Sequence, residues 1–379
     1  MVNENSSSVV ISTLIKIKKD INMKKIILST ALVTMFAMTA CQDSKEISSK
    51  ETSVKKVEKS IAKTTKVTDE NYALAETQVI FTDYVQKIAK ATGTDGVGVF
   101  IHNKKGADPK DKTVMRINFD TIYSFIVLDL KEPATLVMPE TDGRYQSAWF
   151  ITEEHFNPMS LSKAGTYTIT QEEMGSRYIM IVVRTQANVE NPKDMAIANV
   201  LQKKLEIHQK DKGSYKASDS WNMNEIMAMR TKYQNIVQDK NLTTDSFFGP
   251  KGERSLELQN AGTSFGWGGF TKEQAAYPAY FPTSTAPQTL TLKDVPVHAF
   301  WSITVYDKGG YPQTDTYNIN SQFAKKNVDG SITIHFGGDT KADNYMETFE
   351  GWSFILRMYQ PKKTYLDGSW KKPELKLVK

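Results

Sequence analysis

The sequence predicts a mainly β protein of two domains joined by a helical insert. Three observations carry this. Between residues 96 and 186, short apolar runs alternate with turn residues. Between 191 and 237 the apolar spacing changes to that of helices, and from 289 onward short apolar runs return between long polar loops. A chain of 379 residues exceeds the usual size of one domain and has ample apolar surface for two cores.

From the start of the chain, residues 1–22 read as neither signal nor fold, and Met23 is the expected true start. Residues 23–41 have the layout of a secretory signal: Met23-Lys24-Lys25 is basic, 26–40 is largely apolar, and small residues precede Cys41. Met38-Thr39-Ala40-Cys41 is similar to a lipobox with Met38 in place of leucine, which implies cleavage before Cys41 and its acylation. The apolar run is shorter than the roughly 20 residues a spanning helix needs. Cys41 is the sole cysteine, so no internal disulfide is available. The expected location is the bacterial cell envelope, with the membrane as a partner through the lipid. Gln42, rather than aspartate, follows the cysteine and points to the outer membrane.

Residues 42–67, rich in Ser, Thr, Lys and Glu, form an expected flexible tether. Charge is distributed unevenly. Residues 1–41 carry five lysines against Glu4 and Asp20, for +3, and residues 42–67 carry seven lysines against four acids, for another +3. Of the formal +5, the body from residue 68 therefore holds −1, without the basic stripe that nucleic-acid binding requires. Nucleic acid is excluded as a partner.

The body opens with a helix, because Tyr72, Glu76, Val79, Ile80, Tyr84 and Ile88 recur at helical spacing before Gly93. Strands are expected at 97–101, 121–130, 134–138, 144–152, 166–170 and 177–185, with Asp142-Gly143 marking a hairpin. This completes a first domain over 68–190. Asn191-Pro192 breaks the pattern. Ile197, Val200, Leu201, Leu205 and His208 then mark one helix face, and Ile226, Met229, Tyr233, Ile236 and Val237 a second, giving a helical insert at 191–245. The second domain, 246–379, has expected strands at 289–292, 297–306, 331–336 and 352–359.

The run Arg116-Ile117-Asn118-Phe119-Asp120-Thr121-Ile122-Tyr123 resembles the Arg-x-Asn-x-Asp-Thr-x-Tyr signature of domain of unknown function 1254. Gly266-Trp267-Gly268-Gly269, the strand Val297-His298-Ala299-Phe300-Trp301-Ser302-Ile303-Thr304-Val305-Tyr306 and Leu366-Asp367-Gly368-Ser369-Trp370 resemble domain of unknown function 1214. The resemblance runs from about Asp95 to the C-terminus. It implies an immunoglobulin-like sandwich, a helical insert and a jelly-roll domain, with no settled activity to transfer. The resemblance implies that some relatives carry cysteines in the loop corresponding to 339–345, where this chain has none.

Candidate functional residues concentrate in the signature. Alternation would place Asn118 and Asp120 on one face, an amide beside a carboxylate, suited to positioning a ligand hydroxyl or to general-base work. The same residues with Thr121 also suit a turn network that satisfies backbone groups. Among the histidines, His208, His298 and His335 read as structural or exposed. The resemblance singles out His102 and His155, the latter in Glu153-Glu154-His155-Phe156, where an acidic neighbour can orient an imidazole.

No two histidines lie within ten residues of each other, so no metal site is expected, nor any other cofactor. Gly262-Thr263-Ser264-Phe265-Gly266 matches the pattern of a nucleophile elbow but lacks the parallel α/β setting an elbow needs. Trp301 and Trp352 lie within strands and suit a core, whereas Trp267 and Tyr277 lie in the interdomain loop, free to meet a ligand.

The expected function is binding of a small organic ligand, carbohydrate or lipid-like, in a cleft between the two β domains. Its ligand-binding residues are His102, Arg116, Asn118, Thr121, Trp267 and Tyr277. The alternative is a hydrolase or acid–base enzyme in the same cleft, with Asp120 or His155 catalytic and Tyr123 and Arg184 as electrostatic partners. A third reading is an envelope scaffold acting through homo-oligomer contacts.

Overall fold

Helix α1 (Tyr72–Thr92) leads the body and ends where the sequence places its stop: Gly93 adopts φ +69° and its N–H caps the carbonyl of Ala89. The structure is a computed structural model that describes residues 64–112 and 115–378. The expectations for residues 1–41, Cys41 among them, lie outside the described residues, as does the tether up to residue 63. The ordered body begins earlier than residue 68: Val67 is buried, and Thr65 bridges to Trp221.

The first domain continues with β1 (Ile101–His102), β2 (Thr121–Asp129), β3 (Ala134–Met138), β4 (Gln146–Thr152), β5 (Ser160–Leu161), β6 (Gly165–Ile169), the short helix α2 (Gln171–Met174) and β7 (Tyr178–Gln186). The expected strand at 97–101 shrinks to its last residue and the next. Gly96 and Gly98 have φ +87° and +64°, which no extended strand allows.

The central sheet runs β1-β2-β7-β4-β5, all antiparallel, and β2 and β7 pair along their whole nine-residue length. Its two faces are both covered. Ile126, Leu128, Phe150, Ile179 and Ile181 pack towards Ala134, Leu136 and Met138 of β3, while Val127, Trp149, Ile151, Met180 and Val182 pack under Phe81 and Ile88 of α1. That double burial is why these strands read as near-continuous apolar runs.

Helix α3 (Pro192–Lys203) starts at Asn191, whose side chain accepts from the N–H groups of Lys193 and Asp194, with proline at the first helical position. It stops before the sequence pattern does. Leu205 packs in the first domain's core, and His208, expected on the helix, lies in β8 (Glu206–Gln209), which pairs with β3 in the small sheet β6-β3-β8. The first domain thus reclaims chain from the expected insert. Helix α4 (Met223–Asp239) then packs Ile226 and Tyr233 against Tyr72 and Ala75 of α1.

A third helix, α5 (Leu256–Gly266), was not expected. Its buried residues, Asn260, Ala261, Gly262, Thr263 and Ser264, run all the way round one turn, so no amphipathic period shows, and apart from Ala261 they are of modest or poor helix propensity. Packing decides instead: a side chain at Gly262 would lie 2.9 Å from Cβ of Phe247.

The second domain comprises β9 (Ala275–Ala276), β10 (Ala279–Tyr280), β11 (Gln288–Leu292), β12 (Trp301–Tyr306), β13 (Asn318–Asn320), β14 (Ile332–Phe336), β15 (Tyr345–Met346), β16 (Ser353–Tyr359), the short helix α6 (Lys363–Leu366) and β17 (Lys376–Leu377). One sheet runs β10-β16-β12-β13 with β9 beside β16, and the other runs β15-β14-β11-β17. Between them lies a core that includes Leu290, Ile303, Ile334, Phe354 and Leu356 together with Trp301 and Trp352.

Alternation on β12 and β16 turns the opposite set, Ser302, Thr304, Tyr306, Ile355, Arg357 and Tyr359, away from that core. This second face is buried too, against the first domain, and it positions the site. Among the described residues no helix is long and apolar enough to cross a membrane.

Candidate functional site

The signature run leaves the first domain just before β2 and reaches the polar face of β12 and β16. Arg116 adopts φ +52°, unusual for a residue with a side chain, and its N–H donates to the carbonyl of Gly310 at 2.8 Å. The turn that follows is of Asx type: the backbone N–H of Asp120 donates to Asn118 Oδ1 at 2.7 Å, and Asn118 Nδ2 donates to Thr121 Oγ1.

Because the strand begins only at Thr121, Asn118 and Asp120 do not share a face as alternation suggested. Asn118 lines a cavity, while the Asp120 carboxylate points into the second domain. There it accepts from Asn318 Nδ2 at 3.1 Å, from the Tyr359 hydroxyl at 3.0 Å and from the Ser302 hydroxyl. Burial, and Asp120 next to it, hold the Tyr359 phenol far above its ordinary pKa, so it remains a donor.

A reciprocal contact runs the other way. Arg357 of β16 is buried and donates to the carbonyls of Arg116 at 2.7 Å and Ile117 at 3.2 Å, and to Thr304 Oγ1 at 2.8 Å and the Tyr306 hydroxyl. Burial alone would lower its pKa. The neighbouring Tyr306, Tyr359 and Asp120 outweigh that and raise it, so the guanidinium is a fixed charge.

Beside this exchange lies a cavity of about 300 Å³ whose walls come from both domains. Arg116, Asn118, Tyr123 and Arg184 come from the first, and Tyr277, Ile355, Arg357 and Tyr359 from the second. Thr244 and Phe270 of the interdomain segments complete it. Arg184 sits opposite Tyr123 across the β2–β7 pair, with its guanidinium 3.8 Å from the Phe270 ring centroid and 5.4 Å from that of Tyr123. One nitrogen of Arg184 reaches the Gly268 carbonyl at 3.4 Å, but its Nη1, like Nη1 of Arg116, is buried without a partner among the described residues. Burial and the nearby Arg357 lower the pKa of Arg116 from its ordinary value.

His155 occupies a different place. It has φ +63°, is buried, and stacks on Trp267 at 5.4 Å. The backbone N–H of Gly268 can only donate, so Nε2, at 2.9 Å, accepts and the ring proton is on Nδ1. That proton is given to Thr263 Oγ1, whose own hydrogen goes to the Gln259 carbonyl. Burial drives the imidazole pKa down to about 3. The geometry therefore makes His155 a neutral link between the turn after β4 and helix α5, with neither nitrogen open to a substrate.

The acidic neighbour expected to orient it faces elsewhere: Glu153 accepts from Gln78 at 3.1 Å and from the Tyr215 hydroxyl at 3.3 Å. Burial, with the charge of Glu154, raises its pKa to about 7.

Of the residues singled out from sequence, Arg116, Asn118, Tyr123, Arg184 and Tyr277 meet in the cavity. Asp120 stands behind it through Tyr359. Thr121 is buried at the start of β2, and His102 bonds Ser124 at 2.8 Å on β1, away from the cavity. Trp267 covers His155 and donates its indole N–H to Thr77, so it packs the interdomain segment onto α1 rather than facing the cavity. Ser264 is in the last turn of α5 with its hydroxyl turned back to the Ala261 carbonyl, which is not the setting of an elbow nucleophile.

Sequence reading missed Phe270, Ile355, Tyr359 and above all Arg357. The last left a signal, a lone charge in the apolar run Ser353-Phe354-Ile355-Leu356-Arg357-Met358-Tyr359.

Fold and site together define a mainly β protein of several antiparallel sheets and few helices, whose two halves exchange buried polar groups around a shared cavity. The chain belongs to the family in which a domain described as protein of unknown function (DUF1254), here residues 97–209, is followed by one described as protein of unknown function (DUF1214), here residues 283–363. The runs Arg116 to Tyr123 and Val297 to Tyr306 fall inside these intervals. Gly266 to Gly269 and Leu366 to Trp370 fall outside them.

Among solved structures, the VPA0106 protein from Vibrio parahaemolyticus is similar in fold. Its TM-score is 0.55 at 17% identity, over 82% of this chain and all of that one. An uncharacterised protein from Burkholderia cenocepacia aligns with a TM-score of 0.46 at 11% identity, over 82% of this chain and 88% of that one. No curated protein matches the chain.

Two outcomes follow from this geometry. Asp120→Ala leaves two buried donors, Ser302 and Tyr359, and the partly buried Asn318 without their acceptor and is expected to cost roughly 3 kcal/mol or more in urea unfolding. A change within about 0.5 kcal/mol would mean that the domains do not depend on that carboxylate.

The second outcome concerns pH. The His155 pKa falls from 6.5 unfolded to about 3 folded, so its contribution is complete above pH 6.5 and declines as pH falls, by roughly 1.4 kcal/mol per unit. Glu153 acts oppositely: its pKa rises from 4.5 to about 7, so its contribution is complete below pH 4.5 and is lost as pH rises through 7. Between pH 5 and 6.5, His155→Gln should therefore make stability fall more steeply with rising pH than in the wild type. Urea midpoints at pH 5, 6 and 7 measure this, and an unchanged slope would show that the imidazole is not held neutral.

Proposed function

We propose that the protein binds a small organic ligand in the cavity between its two β domains, held to a cell-envelope membrane by a lipid on Cys41. The observation that carries the first half is the cavity itself: about 300 Å³, walled by aromatic side chains and buried polar groups from both domains. Binding is favoured over catalysis because the two candidate acid–base groups do not converge. Asp120 is committed to three donors, and both nitrogens of His155 are occupied. The paired sheets of the first half are read as an immunoglobulin-like sandwich and those of the second as a jelly roll, architectures whose ends and clefts suit ligands. The lipid anchor rests on the motif before Cys41 and the polar stretch that follows it.

Thermal-shift measurements on the purified protein, against sugars, lipid-like amphiphiles and small aromatic compounds, test the cavity. A ligand selective for the native state raises the melting temperature. Tyr277→Ala, at the half-exposed rim, is expected to abolish that rise while leaving the unliganded melting temperature within about 2 °C of wild type. A ligand whose shift survives Tyr277→Ala, or a full panel without effect, would move the function elsewhere. For the anchor, palmitate labelling in the native host should mark the wild type and not Cys41→Ser, with the variant recovered in the soluble fraction. Equal membrane association of both would refute it.

A further inference from the structure

We propose that the ligand of this cavity is a small organic acid whose anionic head is held by Arg116 and Arg184 over the fixed charge of Arg357. The inference rests on the reading of the cavity as a ligand site and names the chemistry it selects.

The arginines of the chain divide cleanly. Arg144, Arg177, Arg230 and Arg254 each pair with a carboxylate. Arg116, Arg184 and Arg357 form no such pair among the described residues, and these three line one cavity. Asp120, behind the wall, is taken by Ser302, Asn318 and Tyr359, and Asp307 acts on Arg116 through its charge without forming an ion pair with it among the described residues. The cavity therefore gathers three guanidinium groups with no carboxylate among its lining residues. An uncompensated charge in a buried place is unfavourable, and the interaction that relieves it is with an anion. Arginine is the side chain best shaped for that task, because its planar fork matches the two oxygens of a carboxylate or phosphonate.

The geometry also assigns parts. Arg357 spends its donors on Thr304, Tyr306 and the carbonyls of Arg116 and Ile117, so it supplies charge rather than free N–H groups. The free donors are Nη1 of Arg116 and Nη1 of Arg184, both buried. Arg184 is only 9% exposed, clamped on the face of Phe270 and held by the Gly268 carbonyl, so its fork is oriented before any ligand arrives. The remaining wall, Phe270, Tyr277 and Ile355, offers rings and an aliphatic edge to an organic body. A bare inorganic oxyanion would leave that apolar wall unused.

Calorimetric titration of the full-length chain in detergent with benzoate, phenylphosphonate, inorganic phosphate and benzyl alcohol tests the proposal, together with Arg184→Met and Arg184→Lys. Benzoate or phenylphosphonate is expected to bind at least tenfold more tightly than benzyl alcohol. Arg184→Met should weaken that binding tenfold or more, and Arg184→Lys, which keeps the charge but loses the fork, should weaken it less. A second readout needs no ligand: Arg184→Met removes an unpaired buried charge and should raise the melting temperature of the empty protein, whereas loss of a structural arginine lowers it.

If benzyl alcohol matches benzoate, or Arg184→Met keeps full affinity, the anionic ligand is refuted while the cavity remains a binding site. Inorganic phosphate binding as tightly as phenylphosphonate would refute the organic body. Absence of binding across the panel, with Arg184→Met lowering the melting temperature, would refute this proposal and the cavity reading together.

Discussion

The structure depends on an exchange of buried polar groups across the domain boundary. The first domain sends a carboxylate, Asp120, into the second, and the second sends a guanidinium, Arg357, to the backbone of the first. Neither group is paired directly with the other. Asp120 is satisfied by neutral donors of the opposite domain, and Arg357 by carbonyls of the opposite domain together with Thr304 and Tyr306 of its own, so neither can be relieved by moving a single side chain. Buried polar groups are costly when unmet, and here meeting them requires both domains in register. An apolar boundary of similar size tolerates sliding; this one specifies a position.

That requirement accounts for features that look unrelated along the chain. The left-handed backbone at Arg116 turns the run so that its carbonyl faces Arg357 and its N–H faces Gly310. The Asx turn at Asn118 ends the irregular segment and delivers Asp120 on the far side. Alternation on β12 and β16 then does the rest, sending Phe354, Leu356 and Met358 into the sandwich core and Ile355, Arg357 and Tyr359 towards the partner domain. A sheet buried on both faces by different materials, apolar on one and hydrogen-bonded on the other, explains why a strand so apolar carries an arginine at its centre.

Much of this was legible in the sequence, and the failures have physical causes. The long strands of the central sheet, β2, β4 and β7, and helix α1 could be read because period and terminators agreed, as at Ile88 and Gly93. Helix α5 could not be read, because its burial runs all the way round the turn at 260–264 and Gly262 is required for close approach to Phe247 and Phe248 rather than for propensity. The helical spacing that ran through Leu205 to His208 was coincidental with a strand that completes the small sheet. Within the local motif, Arg116, Asn118 and Tyr123 meet in the cavity. The motif could not reveal Arg357 or Tyr359, which arrive from more than two hundred residues downstream and reach the cavity only by virtue of how the two domains meet.

The histidine shows why residue type alone misleads. His155 is beside acidic residues in sequence and in an interdomain position in space, yet its role follows from hydrogen-bond bookkeeping: a backbone N–H fixes the acceptor nitrogen, a threonine takes the remaining proton, and burial keeps the ring neutral. The arginines show the converse. Arg184 is an ordinary residue in a buried strand until its unmet nitrogen is noticed beside the unmet nitrogen of Arg116. A fully satisfied polar group in a core is explained by the fold that satisfies it. A buried guanidinium nitrogen that the described residues leave unpaired, on a side chain clamped in one orientation by Phe270, is not explained by folding alone, and the anion proposed above is what would pair it.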